Sequence, residues 1–591
     1  MSVSEEYARR LGLREAAAAR LARLHDRIGN GRLALGLILA LVAWGALLAR
    51  AFSPLWLLLP AAAFTALVFY HLSVRRARVR AERAVEYYKH GIARIEDRWM
   101  GQGWTGDRFA ASGHIYAGDL DLFGRGSLFQ LLSVARTPMG EATLARWLLA
   151  PAPASTIKER HESITDLRER LDLREEMAVL GEDSRVAVES ETLLAWAEAP
   201  NELPQALLWV ALVLPLLALA TAVIWSIGGV MTPFILVVLV EAGVMYLVRR
   251  GMGGAIQGTE SAFRGLKLLA ELLIRMEQNS LTAPALVRLT NRLASHSLAA
   301  SKTMERLARV VDYADARDNP FLRMLDTPLL YSVHVALAAE RWRRDHGKVV
   351  REWVEVLGEF EALLSLASYS YEHPQDPFPE LTDGPGSFVA SNLGHPLIAA
   401  TRCIRNSVSL GAPTRLLLVS GSNMSGKSTL LRTVGINAIL AMAGAPVRAA
   451  SLCLTALQVG ASIRVNDSLH EGSSRFYAEI TRLREIYALL EGSLPVLFLL
   501  DELLQGTNSK DRLIGAEGIV RAFVEAGSIG LVTTHDLALT DISGLPPGSL
   551  RNVHFQDELI HGEMRFDFTL REGVVTKSNG IELMRAVGLK V

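Results

Sequence analysis

Two blocks of the chain stay apolar for longer than an ordinary buried element needs. Leu33–Ala49 carries no charge, and after Arg50, Ser53 and Pro54 a second apolar run extends from Leu55 to Leu72. Ala206–Val240 is also uncharged and is broken near its middle by Ser226, Gly228, Gly229 and Pro233. A helix rises about 1.5 Å per residue, so roughly 20 residues cross the hydrocarbon core of a bilayer. The pattern therefore predicts two helical hairpins: the first in 31–74, the second in 205–249 with arms Ala206–Ile227 and Met231–Val248. Trp44, Trp56, Trp209 and Trp225 fall at or near segment ends, where interfacial rings are favoured. Core hairpins are the competing reading of runs this short. Two such blocks in one chain favour the membrane.

The remaining texture is helical first and mixed afterwards. Residues 1–30 form a charged Ala/Leu-rich tail, and 75–204 hold a connector and the first part of a helical core. Residues 250–375 contain long amphipathic segments such as "GLKLLAELLIRMEQ", whose apolar stripes predict packed helices of a lever. "HPQDPFPELTDGPG" then marks a boundary. In 376–591 short apolar β-rich runs alternate with helices, which predicts a parallel sheet covered on both faces.

Charge refines this picture without naming a partner. Lys+Arg and Asp+Glu balance at 62 each, so the net charge neither requires nor excludes nucleic acid. Its distribution is more telling. Arg9, Arg10, Arg14, Arg20, Arg23, Arg27 and Arg32 precede the first hairpin, Arg75, Arg76, Arg78, Arg80 and Arg83 follow it, and Arg249 and Arg250 follow the second. The short turns hold only Arg50. The positive-inside rule then predicts a multi-pass protein of the cell (inner) membrane, with N-terminus, core and C-terminal domain cytoplasmic. The cluster at 75–83 also suits DNA or anionic lipid. The tail lacks a small-residue cleavage site and does not read as a signal peptide. Glu241 interrupts the fourth arm, either as a functional or helix-pairing carboxylate or as a group near the headgroups of a tilted span. Cys403 and Cys453 are too few for a disulfide framework or a structural zinc site.

The strongest local signal is "RLLLVSGSNMSGKSTLL". Leu416–Val419 reads as a buried strand, Gly421–Ser428 matches G-x-x-x-x-G-K-[ST], and a helix is expected from Thr429. Gly421 and Gly426 let the backbone wrap phosphates, and the N–H groups of Ser422, Asn423, Met424, Ser425 and Gly426 point at the anion. Lys427 reaches the β/γ-phosphates of ATP, and the Ser428 hydroxyl ligates Mg²⁺. "PVLFLLDELLQGT" supplies the complement: strand Val496–Leu500, then Asp501 to hold the metal and Glu502 to polarise the attacking water. Two acids after a strand can also cap a helix. "SIGLVTTHD" sets His535 at another strand end, in reach of the γ-phosphate or the water. The Ser/Gly-rich run "SLHEGSSRFYAEI" opens a further helix, with Ser473 or Ser474 either capping it or binding phosphate.

These segments resemble the ATPase domain of the MutS DNA mismatch-repair family, a branch of the ABC-type ATPases. The likeness rests on "SGSNMSGKST", "LLDELLQGTNSKD", "TTHD" and the closing "KSNGIELMRAVGL"; upstream, "LFQLLSVARTPMGEATLARWLLAPA" is similar to the start of the helical core. The resemblance covers about 119–199 and 255–591. It implies an α/β P-loop domain of ABC type at the C-terminus, preceded by an all-α lever and core. It implies nucleotide contacts from Gly421 through Thr429, Mg²⁺ on Ser428 and Asp501, and catalytic roles for Lys427, Glu502 and His535. Ser474 matches the serine that completes the partner subunit's site, which implies a homodimer with composite ATP sites; Asn508 and Ser509 fall in the loop facing the partner.

The departures from the family are as informative. The segment before Asp119 is filled by a tail, a hairpin and a short connector, which leaves no room for the domain that wedges a Phe-x-Glu phenylalanine into mismatched duplex. The triplets Phe378–Glu380 and Phe523–Glu525 lie beside or inside the ATPase domain. The second hairpin interrupts the core, and the family's extended C-terminal helices are expected to be curtailed at Val591. The expectation is a membrane-anchored MutS-like ATPase that couples ATP turnover to DNA. The alternative is a membrane ATPase whose dimer motion acts on a membrane partner with no DNA.

Overall fold

The computed structural model describes residues 2–49, 51, 53–111, 113–181, 190–256, 260–293, 299–316, 320–464, 475–505, 507–560 and 563–575. They divide into two compact units, one made of Met1–Trp99 with Leu171–Glu182, the other of Met100–Arg170 with Asp183–Val591.

The first unit is a pair of long helices. Val3–Ala43 is continuous, started by a capping box in which Ser2 and Glu5 satisfy each other's backbone N–H groups. The tail and the first apolar arm are thus one rod, because Ala, Leu, Arg and Glu favour helix throughout and the scattered Gly12, Gly29, Gly31 and Gly36 do not break it. Ser53 and Pro54 restart the chain, and Leu58–Ile95 carries the second arm through the arginine cluster without interruption. Away from the apolar zone the rods are joined by polar contacts. Tyr7 and Tyr88 meet edge to face at 5.5 Å, the Tyr88 hydroxyl donates to Glu175 at 2.7 Å, and Arg14 pairs with Glu175 at 2.8 Å. In the apolar zone Leu33, Leu37, Leu41, Leu59 and Phe69 stand mostly exposed.

In the second unit a 42-residue helix, Tyr331–Glu372, is the axis. Near its carboxyl end Glu361 accepts the N–H groups of Arg136 and Thr137 and the Thr137 hydroxyl, which seats the helix Pro138–Leu149 against it. Gly140 and Gly358 allow that approach; a Cβ on Gly358 would lie 3.0 Å from the Met139 carbonyl oxygen. At its other end Leu330, Val333 and Ala336 pack on Leu203, Leu207 and Ala211, at the base of the helix pair Leu207–Gly228 and Thr232–Ile256. By length and composition Val3–Leu47, Leu55–Ile95, Leu207–Gly228 and Thr232–Arg249 are each able to cross a membrane.

Glu241 is fully buried in the second pair, and neither carboxylate oxygen has a hydrogen-bond partner among the described residues. A buried acceptor left without a donor costs about 1–3 kcal/mol. Glu241→Leu is therefore expected to raise the thermal midpoint of the detergent-solubilised protein by a few degrees, read by a thermal-shift assay. A lowered midpoint would mean that the carboxyl is bonded in solution.

Beyond the axis lie two sheets. β1 (Glu380–Thr382), β2 (Phe388–Leu393), β3 (Asn406–Leu410) and β5 (Ser451–Thr455) form a small mixed sheet in the order β1-β5-β2-β3. β4 (Leu416–Ser420), β6 (Gln458–Ser462), β7 (Val496–Asp501), β8 (Ile529–Thr534), β9 (Leu550–Ile560) and β10 (Glu563–Glu572) form the other, in the order β10-β9-β4-β8-β7-β6. Five of its strands are parallel and β10 closes one edge antiparallel. Leu416, Leu418, Phe498 and Leu500 pack beneath the helices Arg475–Ala488 and Ser509–Glu525. The alternate residue Leu499 lies under Gly435 of the helix Lys427–Ala443. Burial on both faces explains why these strands are continuous apolar runs.

Candidate nucleotide site

The site forms where β4, β7 and β8 end together. Ser420 on β4 is in register with Thr534 on β8, and Asp501 on β7 with Thr533, so the segments following these strands emerge side by side. After β4 the chain makes the turn predicted from the glycines. Gly426 has φ +105° and caps the helix Lys427–Ala443; a Cβ there would lie 3.1 Å from the Phe568 ring. Met424, at φ +69°, is almost wholly exposed.

Within the turn the Ser422 and Ser425 hydroxyls are buried with no partner among the described residues. Lys427 is buried and folds back on the turn, donating to the Gly421 and Ser422 carbonyls at 2.9 Å each. Its Nζ also lies 3.6 Å from a Glu502 carboxylate oxygen. Two orphan hydroxyls, a helix start and a buried ammonium suit a polyphosphate, which would satisfy all of them. Ser428 opens the helix beside Lys427, and Thr429 is exposed one residue on.

Across the sheet edge, Asp501 accepts the Thr533 hydroxyl. The Glu502 N–H donates to the Thr533 carbonyl at 3.2 Å and to its hydroxyl at 3.1 Å. Glu502 takes φ +50°, a left-handed conformation that persists only where its surroundings dictate it. His535 Nδ1 stands 3.6 Å from Glu502. Lys427, Glu502 and His535 therefore converge, with Asp501 next to Glu502 and Ser428 next to Lys427. Ser428 and Asp501 are the residues present that would hold Mg²⁺. Asn423, Glu502, Gln505, Arg512 and His535 line an open cleft of about 510 Å³. Ser473 and Ser474 lie outside the described residues, as does "KSNGIELMRAVGL". Asn508 caps the helix Ser509–Glu525 by accepting the Asp511 N–H.

Several participants carried no readable pattern. Gln505 donates to the Glu502 carboxylate, and Arg512 pairs with Asp536 at 2.7 Å. The Ala538 N–H, and then the Arg512 guanidinium, hold the Asp536 carboxyl below the usual carboxylate range. A second cavity of about 200 Å³ adjoins the helix start, lined among others by His395, Ile398, Cys403, Thr429 and Phe568. Burial pushes His395 down to about 4, so its ring is neutral there. The residues directly after β6 are anchored too: the buried Asp119 accepts the N–H groups of Ile463 and Arg464 at 3.0 and 2.6 Å, and Arg464 pairs with Asp121 at 2.6 Å. The quoted motif "TTHD" contained Thr533, but its bond to Asp501 depends on strand order.

The C-terminal part is thus an α/β domain whose converging residues lie at the carboxyl edge of a parallel sheet, where ligands collect in such folds. Residues 417–590 match the family model for MutS domain V, and over this C-terminal part the chain is similar to MutS-family proteins. It is 29% identical over 263 residues to the DNA mismatch repair protein MutS of Natronomonas pharaonis, covering 43% of this chain and 29% of that protein. The DNA mismatch repair protein MutS 2 of Halobacterium salinarum is 31% identical over 259 residues, 43% of this chain and 28% of its own. The Endonuclease MutS2 of Thermus thermophilus is 34% identical over 203 residues, 33% of this chain and 25% of its own. The chain thus spans under a third of the length of these curated relatives. Among the described residues the segment before Met100 is the pair of long helices, with no mismatch-reading domain.

Proposed function

We propose that this protein is a membrane-anchored MutS-family ATPase of P-loop, ABC type that binds and hydrolyses ATP with Mg²⁺ in composite sites of a homodimer, and couples this to binding mismatched, branched or duplex DNA. The observation that carries the ATPase reading is the convergence of Lys427, Glu502 and His535 beside a turn with two unsatisfied buried hydroxyls. Bound ATP supplies the γ-phosphoryl group and Mg²⁺ neutralises charge on its oxygens. Gly421–Thr429 wraps the phosphates, Lys427 offers its ammonium, and Ser428 and Asp501 offer metal ligands. Glu502 accepts a proton from the attacking water, with His535 beside it. The cavity at His395 and Phe568 accommodates the base. Ser474, in the partner-facing role, completes the second subunit's site.

Both helical hairpins span the inner membrane, with the tail, core and ATPase domain in the cytoplasm. The DNA reading draws on the similar proteins, two of which are DNA mismatch repair proteins. The second reading, a membrane ATPase acting on a membrane partner without DNA, draws on a different observation. One continuous helix runs from the base of the second apolar pair to the helices beside the sheets.

ATPase assays in detergent or nanodiscs, with and without DNA and over a salt series, separate the two. Phosphate contacts make affinity fall steeply with salt, so duplex or branched DNA is expected to bind at low salt, to stimulate turnover, and to be released as salt rises. No binding of duplex, mismatched or branched DNA at low salt removes the DNA reading and leaves the second.

A further inference from the structure

One cation of the cleft, Arg512, has no part in the roles of Lys427 and Glu502. Arg512 sits in the first turn of the helix Ser509–Glu525 and lines the same cleft as Asn423, Glu502, Gln505 and His535. A guanidinium carries five N–H donors. Among the described residues the Arg512 side chain spends one of them, on Asp536 Oδ2 at 2.7 Å. It remains about one-fifth exposed. Asp536 does not depend on it alone: its other oxygen accepts the Ala538 N–H at 3.1 Å, and its own N–H donates to the Thr534 hydroxyl at 2.9 Å.

The charge balance explains what such a group adds. Lys427 lies 3.6 Å from Glu502, so part of its field is already answered by that carboxylate. During phosphoryl transfer, negative charge spreads over the equatorial oxygens of the transferred group. A planar fork of donors matches those oxygens better than a point charge does. A donor that touches them only as charge develops accelerates the step without tightening the ground state.

We infer that Arg512 is a further catalytic residue, which exchanges Asp536 for the γ-phosphoryl oxygens in the transition state of ATP hydrolysis. Water oxygen attacks phosphorus and gives its proton to Glu502. The bond from phosphorus to the β–γ bridging oxygen breaks, and ADP leaves with that electron pair. Arg512 stays protonated throughout. The Asp536 pair holds the guanidinium at the edge of the cleft beforehand. This rests on the ATP reading of the cleft.

The test uses the full chain in nanodiscs and compares wild type, Arg512→Ala, Arg512→Lys and Asp536→Asn. Turnover, ADP affinity, and affinity for ADP with aluminium fluoride, a mimic of the transferring phosphoryl group, are measured for each. Arg512→Ala is expected to lower kcat by about 10²–10³-fold and the affinity for ADP–aluminium fluoride comparably. Its ADP affinity should stay within about threefold of wild type, because the inference assigns Arg512 to the γ-phosphoryl oxygens, which ADP lacks. Arg512→Lys should restore part of the loss, and Asp536→Asn, which removes only the holding contact, should lose far less turnover than Arg512→Ala.

Three outcomes overturn the inference: Arg512→Ala turning over like wild type, Asp536→Asn losing as much as Arg512→Ala, or Arg512→Ala losing ADP binding together with turnover. The second would make Arg512 only a holder of Asp536. A wild-type chain that binds no nucleotide refutes the ATP reading itself.

Discussion

Glu502→Gln is expected to bind ATP at least as tightly as wild type and to lose turnover by about two to four orders of magnitude, the range general-base removal commands. The substitution preserves shape, the left-handed backbone and the N–H bonds to Thr533 that fix it. It removes the capacity to take a proton. It also removes a negative charge 3.6 Å from Lys427, so the ammonium faces the triphosphate undiluted. Single-turnover hydrolysis with equilibrium ATP binding checks both halves. Hydrolysis at the wild-type rate would refute the base role, and weakened ATP binding would refute the charge argument. The Gln505 amide, which donates to Glu502, can also meet the new side-chain carbonyl, so refolding of the pocket is not required.

What the sequence disclosed follows from the range of the forces involved. The phosphate turn was legible because its constraints are local: Gly426 must take φ +105° and Lys427 must follow at the helix start, all within a few residues. The strands at Leu416, Val496 and Ile529 were legible because burial on both faces demands unbroken apolar runs. The small sheet was not, because β1, β2, β3 and β5 are short and gather across an intervening helix and β4. Phe568 was also hidden. It reaches Gly426 through an irregularity in the β9–β10 pairing that lies about 140 residues downstream. Arg512 and Gln505 look like ordinary polar residues until strand order sets them around one cleft. The long rods were only half legible: the pattern marked the apolar arms, but nothing in it marked an end at Arg32 or Leu72, and the helices run through both.

Lys427→Ala is expected to weaken ATP binding by about 30- to 150-fold, the equivalent of roughly 2–3 kcal/mol for a charge-assisted contact removed from a buried position. The structure predicts a second consequence. Without the ammonium, Glu502 faces the triphosphate with its nearest cation gone, so part of the measured loss is repulsion newly exposed rather than attraction removed. A double-mutant cycle separates the two, because residues this close do not behave additively. Glu502→Gln in the Lys427→Ala background should recover about tenfold of the lost affinity, while the same change in wild type should gain much less. Equal gains in both backgrounds would mean that the two side chains act on the nucleotide independently. Retention of tight ATP binding by Lys427→Ala would count against the phosphate cradle altogether. The sign of the coupling thus reports whether Lys427 serves the nucleotide alone or also shields it from the carboxylate that must later attack through water.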